Sequence, residues 1–236
     1  MFKKKYATRK YLSRELEILY EDRDILVVDK PAGLLTVGTP TNKFKTADYI
    51  LTDYVRKGSL KWRNRIFIVH RLDQWTSGVL IFAKSEEVMS FLKAQWKDTE
   101  KKYVAVVYGH LAQKEGIITS YLAEDKAHAV YSTTDATKGK LAHTAYKVLK
   151  ETKRFTLLEI NLLTGRKNQI RVHMADEGHP IVGDRKYGKI NDGYERLALH
   201  SKSISFKHPT SGEQMTFEAK LPNYFNKLIY NIQDSL

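Results

Sequence analysis

The stretch Ile68–Ser85, IVHRLDQWTSGVLIFAKS, decides how the rest of the chain is read. Two apolar runs, Ile66–Val69 and Val79–Ala83, flank a short polar segment. Both are brief and rich in Ile, Val and Phe, and Gly78 interrupts the second, so they read as buried strands. The segment HRLDQWTSG then lies at a strand end, where loops carry sites on a rigid scaffold. Its carboxylate, Asp73, stands close to the cation Arg71, and charges in such a place need partners. Two readings are open: a structural ion pair with Thr76 and Ser77 satisfying turn backbone, or a reactive carboxylate.

Outward from this segment, composition bounds the answer. A chain of 236 residues can bury a full core as one large domain or two small ones, and an apolar share of 42% suits a globular protein. No run approaches the roughly 18 consecutive apolar residues of a membrane span. The start, MFKKKYATRKYLSR, is basic without an apolar core, so it does not read as a secretory signal. With no cysteine, disulfide scaffolds, thiolate chemistry and cysteine-ligated zinc are excluded, and a cytoplasmic location is the expectation. The formal charge of +13 attracts polyanions. Residues 1–14 hold six Lys or Arg and no acid, and Arg56, Lys57, Lys61, Arg63 and Arg65 form an acid-free run directly before HRLD. An anionic membrane would attract the same charges, but no amphipathic anchor lies beside either run, so RNA is the favoured partner.

The elements follow from patterning. Residues 1–15 read as a basic arm, and LEILYEDRDILVVDKPAGLLTV as strand, EDRD turn, strand, and a KPAG turn feeding a third extended piece. A helix is predicted over Thr46–Lys57, capped by Thr46 and stopped by Gly58, with Ala47, Ile50, Leu51, Tyr54 and Val55 on one face. A second is predicted over Ser85–Lys97, with Val88, Phe91, Leu92 and Gln95 sharing a side. Lys102–Tyr108 alternates as a strand, though the Val106–Val107 pair implies burial on both faces or a bulge. Tyr146–Leu149 and Phe155–Leu162 read as strands, and Asn168–Glu177 as a short helix closed by Gly178. Arg196–His200, Ser203–Lys207 and Gln214–Ala219 read as short strands, the last two joined by an HPTSG turn, with a terminal helix after Pro222. His128–Gly139 shows no clear period. The expectation is one α+β body, residues 16–236, with a mostly antiparallel mixed sheet, packed helices and a central basic cleft.

HRLDQWTSG resembles the HRLD-x-x-TSG signature of the RluA-type RNA pseudouridine synthases, whose aspartate is the catalytic group, here Asp73. KKYVAVVYG resembles the family segment carrying the active-site tyrosine, here Tyr103. LTGRKNQIRVHMADEGHPIVGDRKYG resembles TGR-x-HQIRVH-x-A followed by G-x-PI-x-GD-x-x-YG, whose arginine pairs with the aspartate, here Arg171. The likeness runs from about Leu16 to about Leu221, with one departure, Asn168 in place of the usual histidine. Many members carry a small RNA-binding domain ahead of this region; with about 15 residues before it here, substrate capture is expected to rest on the catalytic domain itself.

The resemblance implies isomerisation of uridine to pseudouridine in structured RNA, ribosomal or transfer, by a monomer without metal or organic cofactor. The base must be unstacked and then held while detached. Asp73 suits either attack on C1′ or removal of the C2′ proton, the latter the family expectation. Arg171 would keep Asp73 ionised, and Tyr103 would offer a ring face and a hydroxyl near C5. Arg71, Arg166, Lys167, Arg63, Arg65 and Lys61 are the expected RNA contacts. His70, His143 and His173 read as structural, and Asp184 as fixing its turn. The competing readings are a non-catalytic RNA-binding or ribosome-assembly protein, which would not need Asp73, and a metal-dependent nuclease, weakened by the lack of a clustered carboxylate or histidine set.

Overall fold

The computed structural model describes residues 16–57, 64–188 and 193–230. The expected basic arm, the Gly58 stop and the cations Lys61 and Arg63 lie outside them. The sequence pattern turns directly into strands at the front of the chain. β1 (Glu17–Glu21) and β2 (Ile25–Lys30) form a hairpin whose turn is held by Asp22 Oδ1, which accepts the Asp24 and Ile25 amides at 2.8 and 2.7 Å. The third extended piece after KPAG is only a single bridge, Leu35 with Thr46. There the hydroxyl of Thr46 accepts the Tyr49 amide at 3.2 Å and opens α1 (Ala47–Val55). β3 (Phe67–Ile68) and β4 (Ser77–Ala83) flank the HRLD loop, and Ser85 caps α2 (Glu86–Ala94) through the Val88 amide at 3.1 Å. Helix α2 buries Val88 and Leu92, but Phe91, expected on the same side, is 43% exposed.

β5 (Glu100–Tyr108) follows, then a meander of β6 (Glu115–Glu124), β7 (Val130–Thr133), β8 (Lys140–Glu151) and β9 (Phe155–Leu162). The chain continues through α3 (Gln169–Asp176), β10 (Leu199–Lys207), β11 (Gln214–Glu218) and α4 (Asn223–Ile229). The strands join one sheet in the order β1-β2-β4-β10-β5-β9-β8-β6-β7, with β11 on β10 and β3 on β4. Every named strand pair is antiparallel except β4 with β10, so the fold is α+β on a mixed, mostly antiparallel sheet.

Both faces of the sheet centre are covered, which explains the unbroken apolar runs. Leu26, Val28, Leu80 and Phe82 face one core with α1, α3 and α4, while Ile25, Val27, Val79 and Ile81 face the other with α2. Val106 and Val107 are both fully buried because β5 is a central strand. Of the two alternatives for that pair, burial on both faces holds, and a bulge occurs in the neighbouring strand β10, between Ser201 and Ser203. By absorbing Lys202, it keeps the two strands expected over 196–207 as one.

Candidate active site

β3 pairs with the far end of β4 and then leaves its edge, which β10 takes over at Ser77 and Gly78. The chain between, residues 69–76, makes the loop that carries Asp73. Its backbone is pinned from several sides. Thr36 Oγ1 donates to the Leu72 carbonyl at 2.8 Å and accepts its amide at 3.2 Å. The Gly33 amide reaches the Gln74 carbonyl at 2.8 Å, and the Gln74 side chain returns to the Gly33 carbonyl at 3.1 Å. Lys30, fully buried, donates to the carbonyls of Pro31, Leu34 and Gln74 at 2.9, 2.7 and 3.1 Å. Burial pulls its pKa down to about 7 against the opposing pull of Asp73 and Asp29. The KPAG turn is therefore a clamp on the HRLD loop, a role that turn chemistry alone did not signal.

Arg171 projects from α3, and its fork is committed elsewhere than expected. Nε and Nη2 grip Asp184 at 2.7 and 2.8 Å, whereas only Nη1 reaches Asp73 Oδ2, at 3.2 Å. The Asp184 side chain is fully buried, so its charge requires this partner. Burial acts to lower the Arg171 pKa, but its hydrogen bonds to Asp184 and the charges of both carboxylates outweigh it and raise the value. Asp184 does fix its turn as anticipated, accepting the amides of Lys186 and Tyr187 at 3.0 and 3.1 Å. Its grip on Arg171 was missed, although a carboxylate following the apolar PIVG was the available signal.

Asn168 supplies the shortest side-chain contact to Asp73, Nδ2 to Oδ2 at 2.6 Å. Its Oδ1 accepts the Tyr187 hydroxyl at 3.1 Å, and Tyr187 lies beneath the Arg171 guanidinium, 5.0 Å from ring centroid to Cζ. Asp73, Asn168, Tyr187, Arg171 and Asp184 thus close into one network. In the sequence Asn168 stands out only as the departure from the family's usual histidine and Tyr187 only as part of the YG signature, with a role assigned to neither.

Tyr103 sits on β5 between Ile160 of β9 and Ser201 of β10 and is nearly buried. Burial pushes its phenol up to about 12, and the Asp73 charge adds to the rise. Tyr103, Asp73 and Arg171 line one cavity of about 720 Å³, together with Arg71, Arg166 and Lys167. A second cavity of about 810 Å³ shares Arg71, Leu72, Asp73, Asn168 and Arg171 with the first and extends toward Trp75 and Arg185. Arg71 is exposed between them. Arg166 donates to the Leu141 carbonyl at 3.1 Å, and Lys167 pairs with Glu124 at 2.6 Å. Arg65 lines neither cavity; it pairs with Glu86 at 2.9 Å and lies over Phe67.

His70, His143 and His173, the three read as structural, each contact protein groups. His70 accepts the Ile81 amide at 3.1 Å and stacks on Trp96, and burial with the nearby Lys101 charge pushes its pKa down to about 3. His173 lies between Ser120 and Thr144 at 3.0 and 2.9 Å, and His143 contacts Thr119 at 2.9 Å. Among the described residues no cluster of His, Asp and Glu is arranged to hold a metal, and no helix is long and apolar enough to cross a membrane.

Comparison with known proteins places the chain in a family. The family described as RNA pseudouridylate synthase matches residues 24–176. The uncharacterized RNA pseudouridine synthase YlyB of Bacillus subtilis (strain 168) is 38% identical over 223 residues, 93% of this chain and 73% of that protein. The dual-specificity RNA pseudouridine synthase RluA of Yersinia pestis is 36% identical over 210 residues, 86% of this chain and 98% of its own. Among solved structures, the human RNA pseudouridylate synthase domain containing 1 superposes with a TM-score of 0.71 at 25% identity, covering 90% of this chain and 86% of that one. With the family matched across both the HRLD loop and α3, and relatives aligned over most of the chain, this protein belongs to the RluA-type RNA pseudouridine synthases and is an RNA-modifying isomerase.

Proposed function

We propose that this enzyme converts a uridine of structured RNA, ribosomal or transfer, to pseudouridine with Asp73 as the reacting carboxylate. The observation that carries the reading is the position of Asp73. It is pinned on a clamped loop, held by Asn168 and Arg171, and open at 30% side-chain exposure to the cavity that Tyr103 also lines. A carboxylate that accepts hydrogen bonds from two donors can attack C1′ or take the C2′ proton as the N1–C1′ bond breaks. Uracil then turns and rejoins through C5, with the C5 proton leaving and N1 gaining one, so no oxidant or energy source is consumed.

Arg171 positions Asp73, with Asp184 orienting the guanidinium as a buried counter-ion. Tyr103 presents its ring to the detached base, and its raised pKa keeps the phenol protonated as a donor. Arg71, Arg166 and Lys167 support reading the cleft as basic and RNA-facing. Asp73→Asn tests the reading: it keeps the side chain's size and removes its charge. Tritium release from RNA labelled at uracil C5 is expected to vanish while RNA affinity stays within a few-fold of the parent. Appreciable turnover by the variant would remove Asp73 from the chemistry. Mapping pseudouridine in cellular RNA with and without the gene identifies the target.

A further inference from the structure

The second cavity lies beside Asp73 and has a wall that the chemistry above does not use. Trp75, two residues beyond Asp73, is 51% exposed there. Its ring rests against Gly33, where an added Cβ would sit 3.4 Å from the indole. Trp96 offers a contrast, because His70 stacks on it and Lys101 lies over its ring, so a tryptophan of this fold can be covered from within. Among the described residues no ring or cation covers Trp75. The backbone on either side is fixed, Gln74 by the KPAG clamp and Thr76 by its amide bond to the Asp73 carbonyl at 3.1 Å. The loop backbone that carries the indole is therefore the same one that sets Asp73.

We propose that Trp75 is a stacking platform for the base of a nucleotide neighbouring the target uridine, with Arg185 and Lys186 receiving its phosphate. This rests on the reading of Asp73 as the reacting carboxylate. A strand that places one base in the Tyr103 cavity must continue past Asp73, and the adjoining cavity is where it enters. The volume of about 810 Å³ accommodates a nucleotide. The occupant is an anion by the charges at the rim. Among the described residues Arg185 is held by an exposed pair with Glu195 at 3.2 Å, which a phosphate readily replaces, and Lys186 is exposed beside it, its ammonium donating to the His128 carbonyl at 3.1 Å. The Trp75 face offers π-surface without a pattern of donors and acceptors, so the site takes a nucleobase with little preference among the four.

Binding of a fluorescein-labelled single-stranded oligouridylate, and of an abasic ribose-phosphate oligomer of the same length, separates base stacking from phosphate contact. Trp75→Ala is expected to weaken oligouridylate binding about ten-fold and leave the abasic oligomer unaffected, while Trp75→Phe stays within about two-fold of the parent. Circular dichroism establishes that each variant is folded, and recovery by Phe separates loss of the ring from a disturbed loop. The proposal is overturned if Trp75→Ala binds oligouridylate as the parent does, if both oligomers lose affinity equally, or if the parent fails to bind oligouridylate. Because binding needs no turnover, these outcomes leave the tritium-release test of Asp73 standing on its own.

Discussion

Asn168 opens α3 at φ 53° and ψ 17°, in the left-handed region, and makes no cap hydrogen bond from its side chain. Asparagine tolerates this conformation better than most residues, and the side chain is left free to reach across to Asp73. A neutral amide there donates one hydrogen bond to the carboxylate at every working pH. Asn168→Gly preserves the backbone conformation and deletes that donor. A hydrogen bond to a charged group is worth about 1.5–3 kcal/mol, so the single-turnover rate is expected to fall roughly ten-fold or more with RNA affinity little changed. An unaltered rate would show that Arg171 alone holds Asp73. Asp184→Asn acts on the other side of the network by leaving Arg171 without its buried counter-ion. We expect a loss of about 3 kcal/mol in urea unfolding, together with reduced turnover as the guanidinium loses its orientation; full stability would contradict the pairing.

At the scale of elements, the site depends on the seam between β4 and β10. The two strands run parallel only through His200–Ser77 and Ser201–Gly78. Gly78 has φ +112°, and a Cβ there would lie 2.1 Å from the Ser201 carbonyl oxygen. Alanine would have to push apart the strands that hold the end of the Asp73 loop and, through Ser201, the Tyr103 register. Overpacking costs about 1–3 kcal/mol, and the positive φ adds strain. Gly78→Ala should therefore lower the unfolding free energy by about 2 kcal/mol or more and impair catalysis. A variant unfolding at the parent's urea midpoint would refute the close approach.

For the molecule as a whole, buried histidines set the acid response. Burial, the largest cause in each case, depresses His70 to about 3 and His200 to about 4, below the roughly 6.5 of an unfolded histidine. The unfolded chain therefore takes up these protons first. Their stabilising contribution is complete above about pH 6.5 and is lost as pH falls toward the folded values, at up to about 1.4 kcal/mol per pH unit for each histidine. Asp29 opposes the trend: burial and the Glu17 charge raise it to about 6, so the folded state binds that proton first. Two histidines outweigh one carboxyl, and stability should fall from about pH 7 to about pH 5 in urea titrations. His200→Gln retains a polar partner for Ser77 Oγ, which lies 2.9 Å from His200 Nδ1, and should make the dependence shallower. Equal slopes in the two proteins would remove His200 from the account.

The amino-acid sequence by itself determined the local pieces. ILVV read as a strand and VLIFA as a buried one, Thr46 and Ser85 fell at the starts of two helices, and HRLD fell at a strand end. These features depend on side-chain period and on hydrogen bonds spanning three residues. The β6–β8 meander was largely illegible because it lies at one side of the sheet, where its exposed faces admit polar residues and blur the alternation. Only the tertiary structure decided that Arg171 gives its fork to Asp184, that Asn168 is the nearest donor to Asp73, and that Tyr103 and Trp75 line different cavities on either side of the Asp73 loop. Contacts between Asp73 and α3 span 95 and 98 residues of chain. Periodicity can say that each element buries a face, but which side chains meet depends on the register of strands distant in sequence.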